Sequence, residues 1–485
     1  MRKAMTKKVL AAATAAAMGL TAVACGGNTA EAPAPAPEAD TTEATEDVAA
    51  EEAEEEEEVS AYTVITDENG DPIDLGGMDI IIRNWWSGDP AEPTNDYEEA
   101  RDEWREWIQE TYNFTIKEQA ISDWGSVPQD FVDYATAGGD ENYIFVLRDD
   151  PAITSALANG LMYDLSTLDC LDFNAAKFQR NKLHEQYSKG DAIYAMYAGY
   201  SEARTGVYFN KRLLTDAGID PESIYDMQAD GSWTWDKFDE LMGQVHRDTD
   251  NDGVIDVFGL TVNEGNMTTA AIFSNGGSYI GKNADGYYYN LESPETTEAL
   301  KWTVDMFTKY DQHDPEGAEW DYYKQEFING QAAFMVEDEY AGTPGNFLQD
   351  MEDEIGFVMF PKGPSGSTYI NVWSNNPAAI PACYDADKAW KLAFAWNLFT
   401  EQPAGYEDYM DLSAARAGKF DSRAVDETIV MMMSPEHGTV AFHGLIPNLD
   451  LGPDFVWGIG PNSVVSEAQE AIRTTWEAYV EEANK

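Results

Sequence analysis

The chain has 485 residues, with 30 Lys and Arg against 89 Asp and Glu and a formal net charge of −59. That length exceeds what one hydrophobic core usually serves, so two lobes are expected, and an apolar content of 43% with 14 Trp and 25 Tyr excludes global disorder. A field of this sign repels nucleic acid, anionic phosphate substrates and anionic membrane surfaces, which leaves cations and neutral polar molecules as ligands.

In chain order, residues 1–25 hold four basic side chains, then an Ala-rich apolar stretch over 9–24, the pattern of a secretory signal. The apolar run is too short and too Ala-rich for a lasting membrane span. It ends at Ala22-Val23-Ala24-Cys25, which resembles a bacterial lipobox with Ala22 in place of the usual Leu, so Cys25 is the expected lipid-bearing N-terminus. Residues 26–61 follow as an Ala/Pro/Glu/Thr tract with an unbroken Glu54 to Glu58 run, an extended acidic tether that like-charge repulsion and Pro keep from packing. The body is expected to start between Tyr62 and Leu75, and it remains acidic, with 76 acidic and 26 basic residues over 61–485.

Within the body, Met78–Asn84 (MDIIIRN) reads as a buried strand. A helix over 95–112 with Trp104 and Ile108 on one face, a strand over 113–118, a helix over 124–137 and a strand over 143–147 complete a β-α-β-α-β alternation. Such alternation builds an open α/β sheet, whose ligands gather at the carboxyl ends of its strands. Trp86, Asp89, Asp149 and Asp150 lie just past those ends. Trp85 and Trp86 are expected on opposite faces, one of them in the core. Further on, 206–210 reads as a strand, 211–217 as a short helix closed by Gly218, and Thr234 as the N-cap of the helix carrying Trp235, Phe238 and Leu241. Ser293 opens another helix, 388–399 is an apolar buried one, and 465–482 is the last. Cys170 and Cys383 are the two cysteines of the body, either a pair or two buried small hydrophobes.

Asp248-Thr249-Asp250-Asn251-Asp252-Gly253-Val254-Ile255-Asp256 places carboxylates at positions 1, 3, 5 and 9 of an EF-hand-like loop, with Gly at the sharp turn of position 6. Oxygens two residues apart on a tight loop converge on one hard cation, so a structural calcium is expected on Asp248, Asp250, Asp252, the Val254 carbonyl and Asp256. Position 12, usually a bidentate Glu, is Gly259.

Several segments in order resemble the carbohydrate class of bacterial extracellular solute-binding proteins, the maltose-binding-like subunits of ABC importers. They are Tyr208-Phe209-Asn210-Lys211 through Ala217-Gly218, Trp233-Thr234-Trp235-Asp236-Lys237-Phe238, Phe327 to Met335 (FINGQAAFM), Gly160 to Leu165 (GLMYDL) and Phe360-Pro361-Lys362-Gly363. The resemblance spans nearly all of 76–485. It implies two α/β lobes joined by crossing hinge strands with an interlobe cleft, the first from 76–203 with 363–427 and the second from 204–362 with 428–485. It also implies a monomer that serves a membrane permease and does no chemistry. Carried over residue by residue, the ligand contacts would be Trp86, Asp89, Asp149, Asp150, Asn275, Tyr340, Trp373, Arg416 and Trp457.

The residue types suit sugars, whose C–H faces pack on Trp or Tyr and whose hydroxyls seek Asp, Glu, Asn and Arg. Arg416 also fits a surface ion pair, and Trp235, Trp390 and Trp396 fit the core. The scattered His residues form no H-E-x-x-H, and neither a G-x-S-x-G elbow nor a phosphate loop is present. Acidic pairs are too abundant for spacing to identify or exclude a glycoside hydrolase. A binding protein for neutral oligosaccharides is therefore the expectation, with a polyamine or peptide as the alternative ligand.

Overall fold

The computed structural model describes residues 62–86, 92–148, 151–312 and 315–485. Cys25, the signal, the 26–61 tether, Asp89, Asp149 and Asp150 lie outside the described residues. In chain order the main elements are β1 (Met78–Asn84), α1 (Asp96–Thr111), β2 (Phe114–Ala120), α2 (Val127–Ala137), β3 (Tyr143–Val146), α3 (Pro151–Ala158), β4 (Thr205–Asn210), α4 (Trp235–Val245), β5 (Phe258–Val262), α5 (Glu264–Ser274), α6 (Pro294–Tyr310), α7 (Tyr322–Ile328), β6 (Ala332–Asp338), β7 (Ile355–Met359), β8 (Asn371–Trp373), β9 (Ala378–Ala379), α8 (Ala386–Phe399), β10 (Gly438–Val440) and α9 (Val465–Ala483). None of the described helices is long and apolar enough to cross a membrane.

Two four-stranded sheets make two lobes. The first runs β9-β3-β1-β2, with β1 parallel to both neighbours; the second runs β7-β4-β6-β5, with β4 antiparallel to β6 and β7. β1 alternates as a two-residue period requires: Ile80, Ile82 and Asn84 point inward, while Arg83 turns out to Asp130 at 3.1 Å. In α1, Asn95 accepts the Glu98 N–H at 3.0 Å and the Glu98 carboxylate reaches back to the Thr94 N–H at 2.6 Å, close to a capping box. Trp104 and Ile108 then bury on one face, as their spacing predicts. Thr234 is the N-cap residue of α4 in backbone terms, though its hydroxyl makes no capping bond.

Most apolar residues segregate accordingly, while a smaller cluster places Leu445 of the second lobe with Phe131, Phe145 and Ile153 of the first. Ile80, Ile82, Ile108, Ile144, Leu392 and Trp396 belong to a first-lobe core; Val207, Phe209, Trp233, Leu260, Phe334 and Trp476 belong to the second. Two features move the expected lobe limits. Gly363 and Ser365 donate to the Ser274 carbonyl and the Asn275 side chain at 3.1 and 2.9 Å, so the 363–366 loop belongs to the second lobe. Ala415, Ala424, Val425, Ile429 and Met432 also bury in the second core, so the division falls before Ala415 rather than at 427. The helix expected over 124–137 begins at Val127, because Asp123 to Ser126 form a turn. Cys170 and Cys383 are both free, and Cys383 is exposed.

Candidate functional site: the carboxyl ends of the two sheets

The chain passes between the cores through 199–204 and 371–377 and again between Phe399 and Ala415, and side chains tie the first two segments together. Asn375 accepts the Glu202 N–H at 3.2 Å and donates to the Ser201 hydroxyl at 2.9 Å. Asn371 donates to the carbonyls of Glu202 and Met432, both at 2.9 Å. The strand register fixes how each sheet meets this hinge. Ala378 pairs with Val146 at the carboxyl end of β3, and Thr205 pairs with Asp338 at the carboxyl end of β6. The strand ends of both lobes therefore open toward the same crossing.

On the first lobe, a cavity of about 230 Å³ is lined by Ile82, Trp86, Glu118, Tyr197, Glu202 and Asn376, among others. Trp85 and Trp86 do not alternate across the sheet. The strand ends at Asn84, whose side chain accepts the Trp86 N–H at 3.3 Å, and the two rings meet edge-on at 4.8 Å, both half-buried. Past β2, Trp124 is 62% exposed, with the Arg148 guanidinium 4.1 Å from its ring centroid.

On the second lobe, the end of β6 runs Glu337-Asp338-Glu339-Tyr340. Buried Glu337 accepts from the Tyr323 hydroxyl and Asn266 at 2.6 Å and from the Asp338 N–H at 2.8 Å. Burial, and then the Asp338 charge, push its carboxyl up to about 7. Glu339 rises to about 7 through burial and then Glu202. Arg204 lies between these groups, 2.5 Å from Glu202 and bonded to the Ser374 carbonyl. Tyr340 is 42% exposed beside them. Trp457 is 74% exposed next to α5: a Cβ on Gly265, near the start of that helix, would sit 3.8 Å from Val456.

The expected contacts divide. Trp86, Tyr340 and Trp457 stand at strand or helix ends with ring area accessible. Asn275 does not: it is fully buried and spent on Glu295, Glu298 and Ser365. Arg416 is a surface ion pair with Asp426 at 2.7 Å. Trp373 is 8% exposed and covered by Gly438, where a Cβ would overlap the indole. It lines a different cavity, of about 620 Å³, that shares no residue with the one at Trp86. Glu202, Arg204, Asn266, Glu337 and Glu339 were not expected. The β6 residues carried the same strand-end signal as Trp86, whereas Glu202 and Arg204 reach the site only through long-range hinge pairing.

In the acidic loop, carboxylate oxygens of Asp248, Asp250 and Asp256 lie within 4.8 Å of one another. Asp252 stands outside that group, accepting the Val254 N–H at 2.8 Å. Gly253, at φ +94°, supplies the turn expected at position 6, and its N–H donates to Asp248 at 2.8 Å.

Residues 100–398 match the family model of bacterial extracellular solute-binding proteins. No curated protein sequence matches. Among solved structures, UspC of Mycobacterium tuberculosis is 15% identical, covering 83% of this chain and 100% of its own at a TM-score of 0.56. UgpB of the same organism, in complex with glycerophosphocholine, is 16% identical, covering 84% of this chain and 99% of its own at 0.56. A Listeria monocytogenes ABC substrate-binding protein in complex with cycloalternan is 17% identical, covering 84% of this chain and 97% of its own at 0.51.

Proposed function

Because the chain belongs to the bacterial extracellular solute-binding protein family, we propose that it captures neutral oligosaccharides between its lobes and delivers them to the permease of an ABC importer. One observation carries this reading: exposed aromatic rings and hydrogen-bonding carboxylates occur together at strand ends that open on a hinge. Tyr340, Trp457 and Trp86 would receive the C–H faces of sugar rings. Half-buried Glu339, raised to about 7, would serve hydroxyls in either state, donating when protonated and accepting when ionised, while buried Glu337 is held by Tyr323, Asn266 and the Asp338 N–H and braces the strand end. Ligand bridging both lobes would favour the shut form, the one a permease would recognise. Lipid on Cys25 and the 26–61 tether would hold the body at the outer face of the membrane, working as a monomer.

A calcium ion at Asp248, Asp250 and Asp256 belongs to this reading as a structural brace. Three carboxylates converging on one point repel each other until a hard cation joins them. The ion would stiffen the loop between α4 and β5, away from any chemistry.

Calorimetric titration of the protein with a panel of neutral oligosaccharides tests the function. Micromolar binding to one series, with each sugar recovered intact, is the expected result. Binding of spermidine in place of any sugar would move the assignment to a cationic solute, the reading that the acidic residues Glu202, Asp338 and Glu339 favour. Hydrolysed sugar would overturn the binding role altogether.

A further inference from the structure

Besides the cavity at Trp86, the two lobes border a second one of about 620 Å³, and the two share no lining residue. The first lobe supplies Lys182, Glu185 and Gln186, and the second supplies Lys282, Glu436, Thr439 and Phe442, with Trp373 of the hinge between them. Trp86, Glu202, Tyr340 and Trp457 take no part in it. Each lobe thus contributes one cation and one carboxylate. Among the described residues no ion pair joins any of these four groups to another charge, whereas Lys177, Lys211, Arg212 and Arg423 are all paired.

Both lysines are held in place. Lys182 adopts φ +53°, in the left-handed region that residues other than glycine rarely occupy, and buried Asn181 fixes that turn to the hinge. The Asn181 amide reaches the carbonyls of Tyr197 and Gly199, each at 3.0 Å, and its oxygen accepts the Leu183 N–H at 2.8 Å. Lys282 pairs with Tyr287 across a hairpin, and its Nζ lies 5.2 Å from the Tyr287 ring centroid and 5.7 Å from that of Phe442. The Trp373 indole, 8% exposed, adds a buried Nε1–H that has no acceptor among the described residues. That nitrogen faces Gly438, another lining residue, where a Cβ would stand 2.3 Å away. A buried donor without a partner is costly, and an acceptor on a ligand would satisfy it.

The lining is balanced in charge, in a body with 76 acidic and 26 basic residues. A bare anion would be repelled by that field and by the two carboxylates, and a bare cation by the two lysines. A neutral sugar would leave all four charges unanswered. We propose that this cavity binds a small zwitterion, an amino acid or a dipeptide. Its carboxylate would meet Lys182, Lys282 and the Trp373 Nε1–H, and its ammonium would meet Glu185 and Glu436. Pro435, Val440 and Phe442 offer apolar surface to its side chain, and the volume suits a ligand of that size. The site stands apart from the cleft and does not depend on what the cleft binds.

Calorimetric titration of the full chain with the free L-amino acids, with Ala-Ala and Ala-Phe, and with the N-acetyl and C-amide form of each tests this. At least one free compound should bind in the micromolar range, and blocking either terminus should weaken it about tenfold or more. Lys182→Gln and Lys282→Gln should each weaken it about tenfold at an unchanged melting temperature, and Lys282→Arg should largely restore it. Trp86→Ala should leave it unchanged. Equal binding of free and blocked forms, or no binding of any compound by the parent, would overturn the proposal. Loss of binding in Trp86→Ala with full retention in both Gln variants would also overturn it and place the compound in the cleft. Sugar binding is read in separate titrations, so either of the two readings can fail without the other.

Discussion

Trp457 and Arg416 show how differently two exposed side chains bear on function. The Trp457 ring is 74% exposed and supports little of the core, so Trp457→Ala should lower ligand affinity about tenfold, or ~1.4 kcal/mol, with an unchanged melting temperature. Arg416 pairs with Asp426 in solvent, where such bridges contribute little, and Arg416→Ala should leave both affinity and melting temperature unchanged. Calorimetry and thermal denaturation check both. Buried Glu337 and half-buried Glu339 add a pH dependence. Glu337 and Glu339 titrate near 7 in the folded chain, above their unfolded value, so the native state holds more protons between the two values. Their contribution to stability is greatest in acid and is lost as pH rises through about 7. The melting temperature should therefore fall between pH 5 and pH 8, and the double variant Glu337→Gln/Glu339→Gln should fall less steeply; an identical slope would contradict the assignment. At this scale the sequence was legible only in part. Strand-end position predicted that Trp86 would lie where it does, lining the cavity past β1, but Asn275 has the same polar character whether it faces a ligand or braces the 363–366 loop.

Among the elements, the β8–β10 pair and the acidic loop carry the clearest consequences. Gly438 pairs with Asn371 and faces the Trp373 indole so closely that there is no room for a Cβ. Gly438→Ala should destabilise the protein by about 1–3 kcal/mol, the usual range for overpacking, read by urea denaturation. The loop prediction concerns Asp248, Asp250 and Asp256. Calcium should raise the melting temperature of the parent and have no effect on Asp250→Ala, whereas Asp252→Ala should retain most of the response because that carboxylate stands outside the group. A parent indifferent to calcium and chelator would sink the metal assignment. Element types were readable from periodicity: β1, α1, α8 and α9 fall where their apolar spacing predicts. The start of α2 was not, because the turn at Asp123 to Ser126 depends on local hydrogen bonds, and the shift moves Trp124 from a helix to an exposed loop.

For the whole molecule, the two-lobe α/β architecture was visible in the strand and helix alternation together with the ordered family motifs, since both reflect local patterning. The lobe limits were less so. A hinge is defined by where distant segments bond, as Asn371 and Asn375 do with Ser201 and Glu202, and nothing in the spacing of those residues announces it. The same hinge supplies the central mechanical claim, that a ligand spanning both sets of strand ends draws the lobes together. Small-angle X-ray scattering of the protein, with and without a saturating oligosaccharide identified by calorimetry, tests this most directly. A smaller radius of gyration is expected in the liganded sample. An unchanged radius at full occupancy would contradict it, placing the ligand on one lobe alone.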